Sequence, residues 1–273
     1  MSASPYSPTF TSRFAGRRRL LGTLAASASL LLVPGLASAQ TWRQHDVVAK
    51  AIGDAPVSEE GLDISLPLVA EDGSAVPLTI TSSLPDNASR IQQLAIFATA
   101  NPTPEVAKFE FSADIPAIKI ATRIRLSESQ TVVVVARTED GKTLVAQRDV
   151  RVTTSGCIAP AQPDTSNEMN ARVRVPKAWD SGSADEIITM ITHPMTTGLA
   201  QDAAGHTPPQ RIINALEVAL NDRPVIQATF FRSLAANPYL RFEALPQESG
   251  QMRFTWTEDT GRSIEETARI QLS

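Results

Sequence analysis

From Leu62 the chain alternates. Leu62, Ile64, Leu66 and Leu68 are separated by Asp63, Ser65 and Pro67, the period of a strand with one buried face. Glu71-Asp72-Gly73-Ser74 supplies a turn, and Val76, Leu78 and Ile80 resume the alternation, so the pair reads as a hairpin. Residues 91–98 form another apolar run, ended by Asn101-Pro102-Thr103-Pro104. Further on, Ile118, Ile120, Thr122, Ile124 and Leu126 share one face, opposite Lys119, Arg123 and Arg125. A buried run over 132–136, the turn Glu139-Asp140-Gly141-Lys142 and a last strand ending near Val152 complete this region. Short strands at this spacing predict an antiparallel sandwich. Before them, residues 42–52 show weak helical spacing through Val47, Val48 and Ile52, which fits either a docked helix or a frayed arm.

Residues 153–170 break the pattern. Gly156, Pro160, Pro163 and several small polar residues carry no apolar period, so this stretch reads as a linker. A second alternating series then begins at Ala171-Arg172-Val173-Arg174-Val175. It continues through 187–191, 212–220, 225–231, 240–245, Met252-x-Phe254-x-Trp256 and 264–272. Turns fall at Asn221-Asp222-Arg223-Pro224 and Glu258-Asp259-Thr260-Gly261. Residues 212–220 contain the helix formers Ala215, Leu216 and Glu217, but strands on either side and the hairpin turn that follows favour a strand. The expected fold is all-β: two antiparallel sandwiches, over 40–152 and 171–273, joined by the linker 153–170.

The N-terminus adds an export signal. Residues 1–16 have no acid, Arg17-Arg18-Arg19 follow, and a moderately apolar stretch leads to Ala37-Ser38-Ala39. Basic, apolar and small-residue regions in that order predict a signal peptide over 1–39 and a periplasmic protein. Arg17-Arg18-x-Leu20-Leu21 fits a twin-arginine leader, and an ordinary secretory leader with a basic start fits too. Removing it deletes four arginines and no acid, which takes the formal charge from −4 to −8. That balance argues against nucleic-acid or membrane-surface binding.

Little in the chain suggests catalysis. His45, His193 and His206 have no catalytic or ligand spacing, and no Gly-rich phosphate loop or G-x-S-x-G elbow occurs. His193-Pro194-Met195 offers an imidazole and a thioether to copper, but two adjacent ligands without more partners read better as a structural loop. Trp256 reads as core. Trp42, Trp179 and Tyr239 are read as either packed or partner-facing, and Glu258-Asp259 and Glu265-Glu266 as solvated hairpin positions. No metal or cofactor is expected. What remains is Cys157, the single cysteine, inside the linker. It cannot form an internal disulfide, and no Lys or Arg in 153–163 activates it as a thiolate. Such a group suits loading and unloading by other proteins; an inert or dimer-forming cysteine is the plain alternative.

These residues resemble the SoxYZ sulfur carriers of periplasmic sulfur oxidation, in a fused SoxY–SoxZ order. The first region matches the SoxY pattern at 64–80, Asn101-Pro102-x-Pro104, Thr122-Arg123-Ile124-Arg125-Leu126 and the Asp140-Gly141 hairpin, ending at Gly156-Cys157. The second matches SoxZ at A-R-V-R-V-P-K (171–177), T-H-P-M-T-T-G (192–198), A-N-P-Y-L-R-F (236–242) and F-T-W-T-E-D-T-G (254–261). The resemblance implies immunoglobulin-like sandwiches and a non-enzymatic carrier. Cys157 would be the covalent attachment point, and Gly156 would give the arm flexibility. The family arm reads G-G-C-G-G and ends its subunit. Here only Gly156 precedes the cysteine, Ile158-Ala159-Pro160 follows it, and a second domain tethers the far end, which stiffens the arm. Fused carriers of this kind resemble those found alongside quinoprotein dehydrogenases. The implied partners are therefore periplasmic enzymes acting on the adduct, among them a quinoprotein dehydrogenase and c-type cytochromes. A structural accessory module for such a dehydrogenase, without thiol chemistry, is the competing reading.

Overall fold

Strand alternation dominates the computed structural model, which describes residues 41–85, 88–155, 169–201 and 204–273. The predicted leader over 1–39 and the pair Gly156-Cys157 lie outside the described residues. Gln40–Ser273 form one compact unit. A 3-10 turn (Thr41–Gln44) leads into α1 (Asp46–Ile52). The strands of the first half are β1 (Val57–Ser58), β2 (Leu62–Ser65), β3 (Val69–Ala70), β4 (Val76–Ser82), β5 (Ile91–Ala98), β6 (Glu105–Phe111), β7 (Lys119–Ile124), β8 (Gln130–Thr138) and β9 (Thr143–Val152). Those of the second are β10 (Asn170–Arg174), β11 (Asp185–Thr192), β12 (Ile213–Leu220), β13 (Arg223–Phe230), β14 (Tyr239–Ala244), β15 (Gly250–Glu258) and β16 (Ser263–Ile270).

The expected all-β sandwich character is present, in two sheets. The larger runs β1-β9-β8-β5-β6-β13-β12-β15-β16, with β3 also on β9; the smaller runs β10-β11-β14-β7-β4-β2. Each sheet therefore contains strands from both halves. In the larger, β6 pairs antiparallel with β13, Phe111 opposite Ile226 and Phe109 opposite Ala228. In the smaller, β14 pairs with β7, Leu240 opposite Thr122 and Phe242 opposite Ile120. Edges that would stand open on isolated sandwiches are consumed here. The inward side chains merge into a single core that includes Leu78, Ile120 and Phe109 from the first half and Phe230, Phe242 and Trp256 from the second.

Local chemistry explains the elements. The turn between β12 and β13 has positive φ at Asn221 (48°) and Asp222 (64°), the backbone of a type I′ hairpin and a role these residues tolerate. Residues 213–220 are a strand despite Ala215, Leu216 and Glu217, because Leu216, Val218 and Leu220 each find cross-strand neighbours on both sides. The weak helical spacing near the N-terminus is a docked helix. Trp42, Val48 and Ile52 are buried against Phe97, Val133, Val135 and Val145 on the outer side of the larger sheet.

Shared sheets make the covalent link between halves unnecessary for their association. A protease site engineered between residues 158 and 168 and then cut is expected to leave two fragments that co-elute as one species in size-exclusion chromatography. Separation without denaturant would show that the cross-half pairing is too weak to hold them.

Candidate functional site

The backbone leading to Cys157 is held further along than the strand pattern predicts. Val152 N–H donates to Ser129 Oγ at 3.0 Å. Thr153 N–H donates to the Ala70 carbonyl at 3.0 Å, and the Thr154 carbonyl accepts from Gly73 N–H at 2.8 Å. Thr153 Oγ1 donates to the Glu71 carbonyl at 2.8 Å. The acceptor loop is itself fixed. Asp72 accepts from Ser74 N–H at 2.8 Å and from its hydroxyl at 2.7 Å, and these bonds, the backbone one foremost, hold the Asp72 carboxyl below its usual value. The chain is thus anchored through Thr154, not released after Val152. On the far side, Met169 packs on the core one residue before β10. Beside the entry point, Leu68 and Val69 stand 76% and 50% exposed, large apolar side chains left in solvent.

A buried polar knot ties the halves together just behind this end. Asn101, 4% exposed, donates to the Arg125 carbonyl at 2.7 Å and to Ser233 Oγ at 2.9 Å. Its carbonyl oxygen accepts from Ser127 N–H and Gln130 Nε2, both at 2.9 Å. Ser233 Oγ in turn donates to the Thr103 carbonyl at 2.6 Å. Both amide groups of Asn101 are satisfied, which is what makes a polar residue tolerable at this depth.

The second buried cluster overturns one expectation. Glu258 is not a solvated hairpin position: its side chain is fully buried. Its Oε1 lies 2.9 Å from His193 Nε2 and 3.1 Å from Arg211 Nε, and the Thr260 hydroxyl donates to Oε2. His193 Nδ1 accepts from Met195 N–H at 3.0 Å, so Nε2 carries the proton that reaches Glu258. The imidazole is used at both nitrogens, and Met195 Sδ accepts from Ile213 N–H at 3.2 Å. The segment is structural, and the copper reading of His193-Pro194-Met195 finds no open ligand pair. Burial pushes the Glu258 carboxyl up, but the Thr260 hydroxyl, the His193 bond and the nearby Arg211 outweigh it and hold it below its usual value. The sequence contained the signal: Met252, Phe254, Trp256 and Glu258 share one parity in β15, and the first three point inward.

The remaining candidates resolve individually. Trp42, Trp179 and Trp256 are core. Tyr239 is half-buried on the outer side of the smaller sheet, under the guanidinium of Arg123 at 5.2 Å from the ring centre. Among the described residues no group of three or more His, Cys, Asp or Glu is placed to hold a metal ion.

Two family models match the chain in tandem. The family model for "Sulfur oxidation protein SoxY" matches residues 48–157, ending on Cys157, and that for "Sulphur oxidation protein SoxZ" matches 173–269. A search of curated protein sequences gives no match. Two solved structures illustrate remote likenesses. A superoxide reductase (neelaredoxin) from Ignicoccus hospitalis aligns at 11% identity and a TM-score of 0.29, over 34% of this chain and 80% of that one. A β-glycosidase from Bacteroides vulgatus aligns at 10% identity and a TM-score of 0.23, over 82% of this chain and 26% of that one.

Proposed function

The chain belongs to the SoxY and SoxZ families as a fused SoxYZ-like protein, a carrier of sulfur oxidation; on that premise we propose that it is not itself a catalyst and works in the periplasm, holding a sulfur-containing or other thiol-linked intermediate covalently on Cys157 while partner enzymes act on it. The observation that carries this reading is the SoxY match running as far as Cys157, the single cysteine of the chain. The partners include a quinoprotein dehydrogenase and its c-type cytochromes.

Anchoring sets the reach of the carrier. Among the described residues Thr154 is the last with a hydrogen bond before Cys157, and Cys157 lies three residues beyond it. At ~3.3–3.6 Å per residue, the thiol's backbone stands at most roughly 11 Å from that anchor. An arm released after Val152 would reach ~17 Å by the same measure. The other side is longer, from Ile158 to Met169, so the entry side is the limiting tether. A partner must therefore bring its active site close to the end of the sandwich that holds Thr154, and the carrier presents its cargo at short range.

The direct test is the intact mass of the protein recovered from periplasm, before and after reduction. A mass excess that disappears on reduction and is confined to the peptide containing Cys157 supports the proposal. An unmodified mass from cells running the pathway overturns it. Export is checked separately with Arg17→Lys combined with Arg18→Lys. Loss of periplasmic protein is expected for a twin-arginine leader, and an unchanged yield rejects that route while leaving secretion intact.

A further inference from the structure

The outer side of the smaller sheet carries a cationic row that exists only because strands of both halves share this sheet. Strand register sets Arg172 opposite Met190, and Met190 opposite Tyr239. Leu240 pairs with Thr122, which brings Tyr239 beside Arg123, and Arg123 lies opposite Pro77. Four strand steps of ~4.8 Å make this row roughly 19 Å long. Arg172 and Arg123 are exposed, Met190 and Tyr239 half-buried. Among the described residues neither arginine pairs with a carboxylate; Arg123 instead lies over the Tyr239 ring. The next row adds Arg174 and Arg241, whose side chains are 76% and 38% exposed and share Glu186. The remaining acids of this face, Glu243 and Asp63, lie farther along the strands, with Glu243 bound to Lys119.

The row's position gives it meaning. On the entry side the Thr154 carbonyl binds Gly73, and Gly73 binds Leu126 at the end of the sheet where Arg123 and Pro77 sit. On the far side Met169 directly precedes β10, which begins two residues before Arg172. The row therefore runs between the two roots of the cysteine-bearing segment. The chain beyond residue 39 has a formal charge of −8, yet this row presents two exposed arginines, Arg123 and Arg172. Arg, Tyr and Met are also the residue types enriched where proteins dock.

We infer that the row Arg172–Met190–Tyr239–Arg123–Pro77 is a docking surface for an acidic partner protein. This deepens the carrier reading and rests on it: with a tether of at most roughly 11 Å, a partner must seat beside the arm roots. Positive charge there attracts an acidic surface and orients it, while the acidic remainder of the molecule repels wrong approaches. The aromatic and thioether surfaces between the arginines supply contact area once the partner arrives.

The probe is immobilised poly-L-glutamate at low ionic strength, with the full mature chain as analyte. The wild type is expected to be retained despite its own negative charge, and to elute as salt rises. Arg123→Glu with Arg172→Glu should weaken retention by roughly tenfold or more. Lys50→Glu with Arg269→Glu makes the same change in net charge on other exposed positions, in α1 and β16, and should leave retention near that of the wild type. Wild type that is not retained, or two double variants equally impaired, overturns the inference. Retention on phosphatidylglycerol vesicles but not on poly-L-glutamate also overturns it, in favour of a membrane surface. Cys157→Ser should be retained like the wild type, so a failure of the thiol chemistry is distinguishable from a failure of docking.

Discussion

Cys157→Ser is expected to give a protein that folds and melts like the wild type, carries no adduct and fails entirely to support the dependent pathway. The all-or-none effect follows from there being one cysteine: no second thiol in the chain can take over its role. Stability should not change, since the structure anchors the chain at Thr154 and Met169 by backbone and core contacts that do not involve the sulfur. Three measurements check the expectation: the thermal midpoint, the intact mass of periplasmic protein, and complementation of a deletion strain. Full complementation by the variant would overturn the carrier role and leave a structural accessory function for the fused sandwich.

Glu258→Ala is expected to have the largest effect on stability of any change at a polar position. The carboxylate is fully buried and serves His193, Arg211 and Thr260 together. Its removal takes the carboxylate acceptor from the buried imidazole N–H of His193 and the counter-charge from beside Arg211. Breaking a buried pair from one side costs about 3 kcal/mol or more. For a chain of this size that lowers the melting midpoint by roughly 6–12 °C. Glu258→Gln keeps the shape and an acceptor for His193 but loses the charge facing Arg211, and should cost distinctly less. The pH dependence has a defined sign. A carboxyl held below its usual value binds its proton more readily in the unfolded chain. Its contribution is therefore fully present above the ordinary glutamate value and is lost as pH falls through the lower folded value. Wild type should lose stability in acid by this route, and Glu258→Gln should show a flatter acid limb. Equal midpoints for Glu258→Ala and wild type at neutral pH would mean that the cluster contributes nothing net.

Parity along the strands was the most readable feature of the sequence. Leu62 and Ile64, Leu78 and Ile80, and Met252, Phe254 and Trp256 all face inward as their period-two spacing predicts. The same parity places Glu258 inward, although a Glu-Asp-Thr-Gly turn motif suggests solvent. Two cues conflicted there, and the buried one prevailed because Arg211 and His193 were available to pair with the carboxylate. No element was assigned to Glu105–Phe111, yet it forms β6 and makes one of the two seams between halves. Its alternation of Phe109 and Phe111 with Lys108 and Glu110 is short, and Pro102 and Pro104 just before it suggest a loop. The helical preference of Ala215, Leu216 and Glu217 yielded to ladders on both sides, since propensity differences of a few tenths of a kcal/mol per residue do not outweigh cross-strand packing.

The site divides along the same line. The candidate thiol and its membership in a SoxY-like half were legible from residues alone, because one cysteine in an irregular segment at a fixed distance past a strand is a one-dimensional fact. The anchor at Thr154 was not, since it depends on a loop 80 residues earlier, Ala70 to Gly73, folding back onto the end of β9. Nor was the row of arginines between the arm roots. Alternation tells which face of a sheet a side chain takes, but backbone hydrogen bonds are the same at every edge. So the sequence by itself determined most of the strands, most of their inward and outward faces and the lone cysteine. Which edges join, and hence which side chains from the two halves stand side by side, was decided only when apolar faces far apart in the chain closed over one shared core.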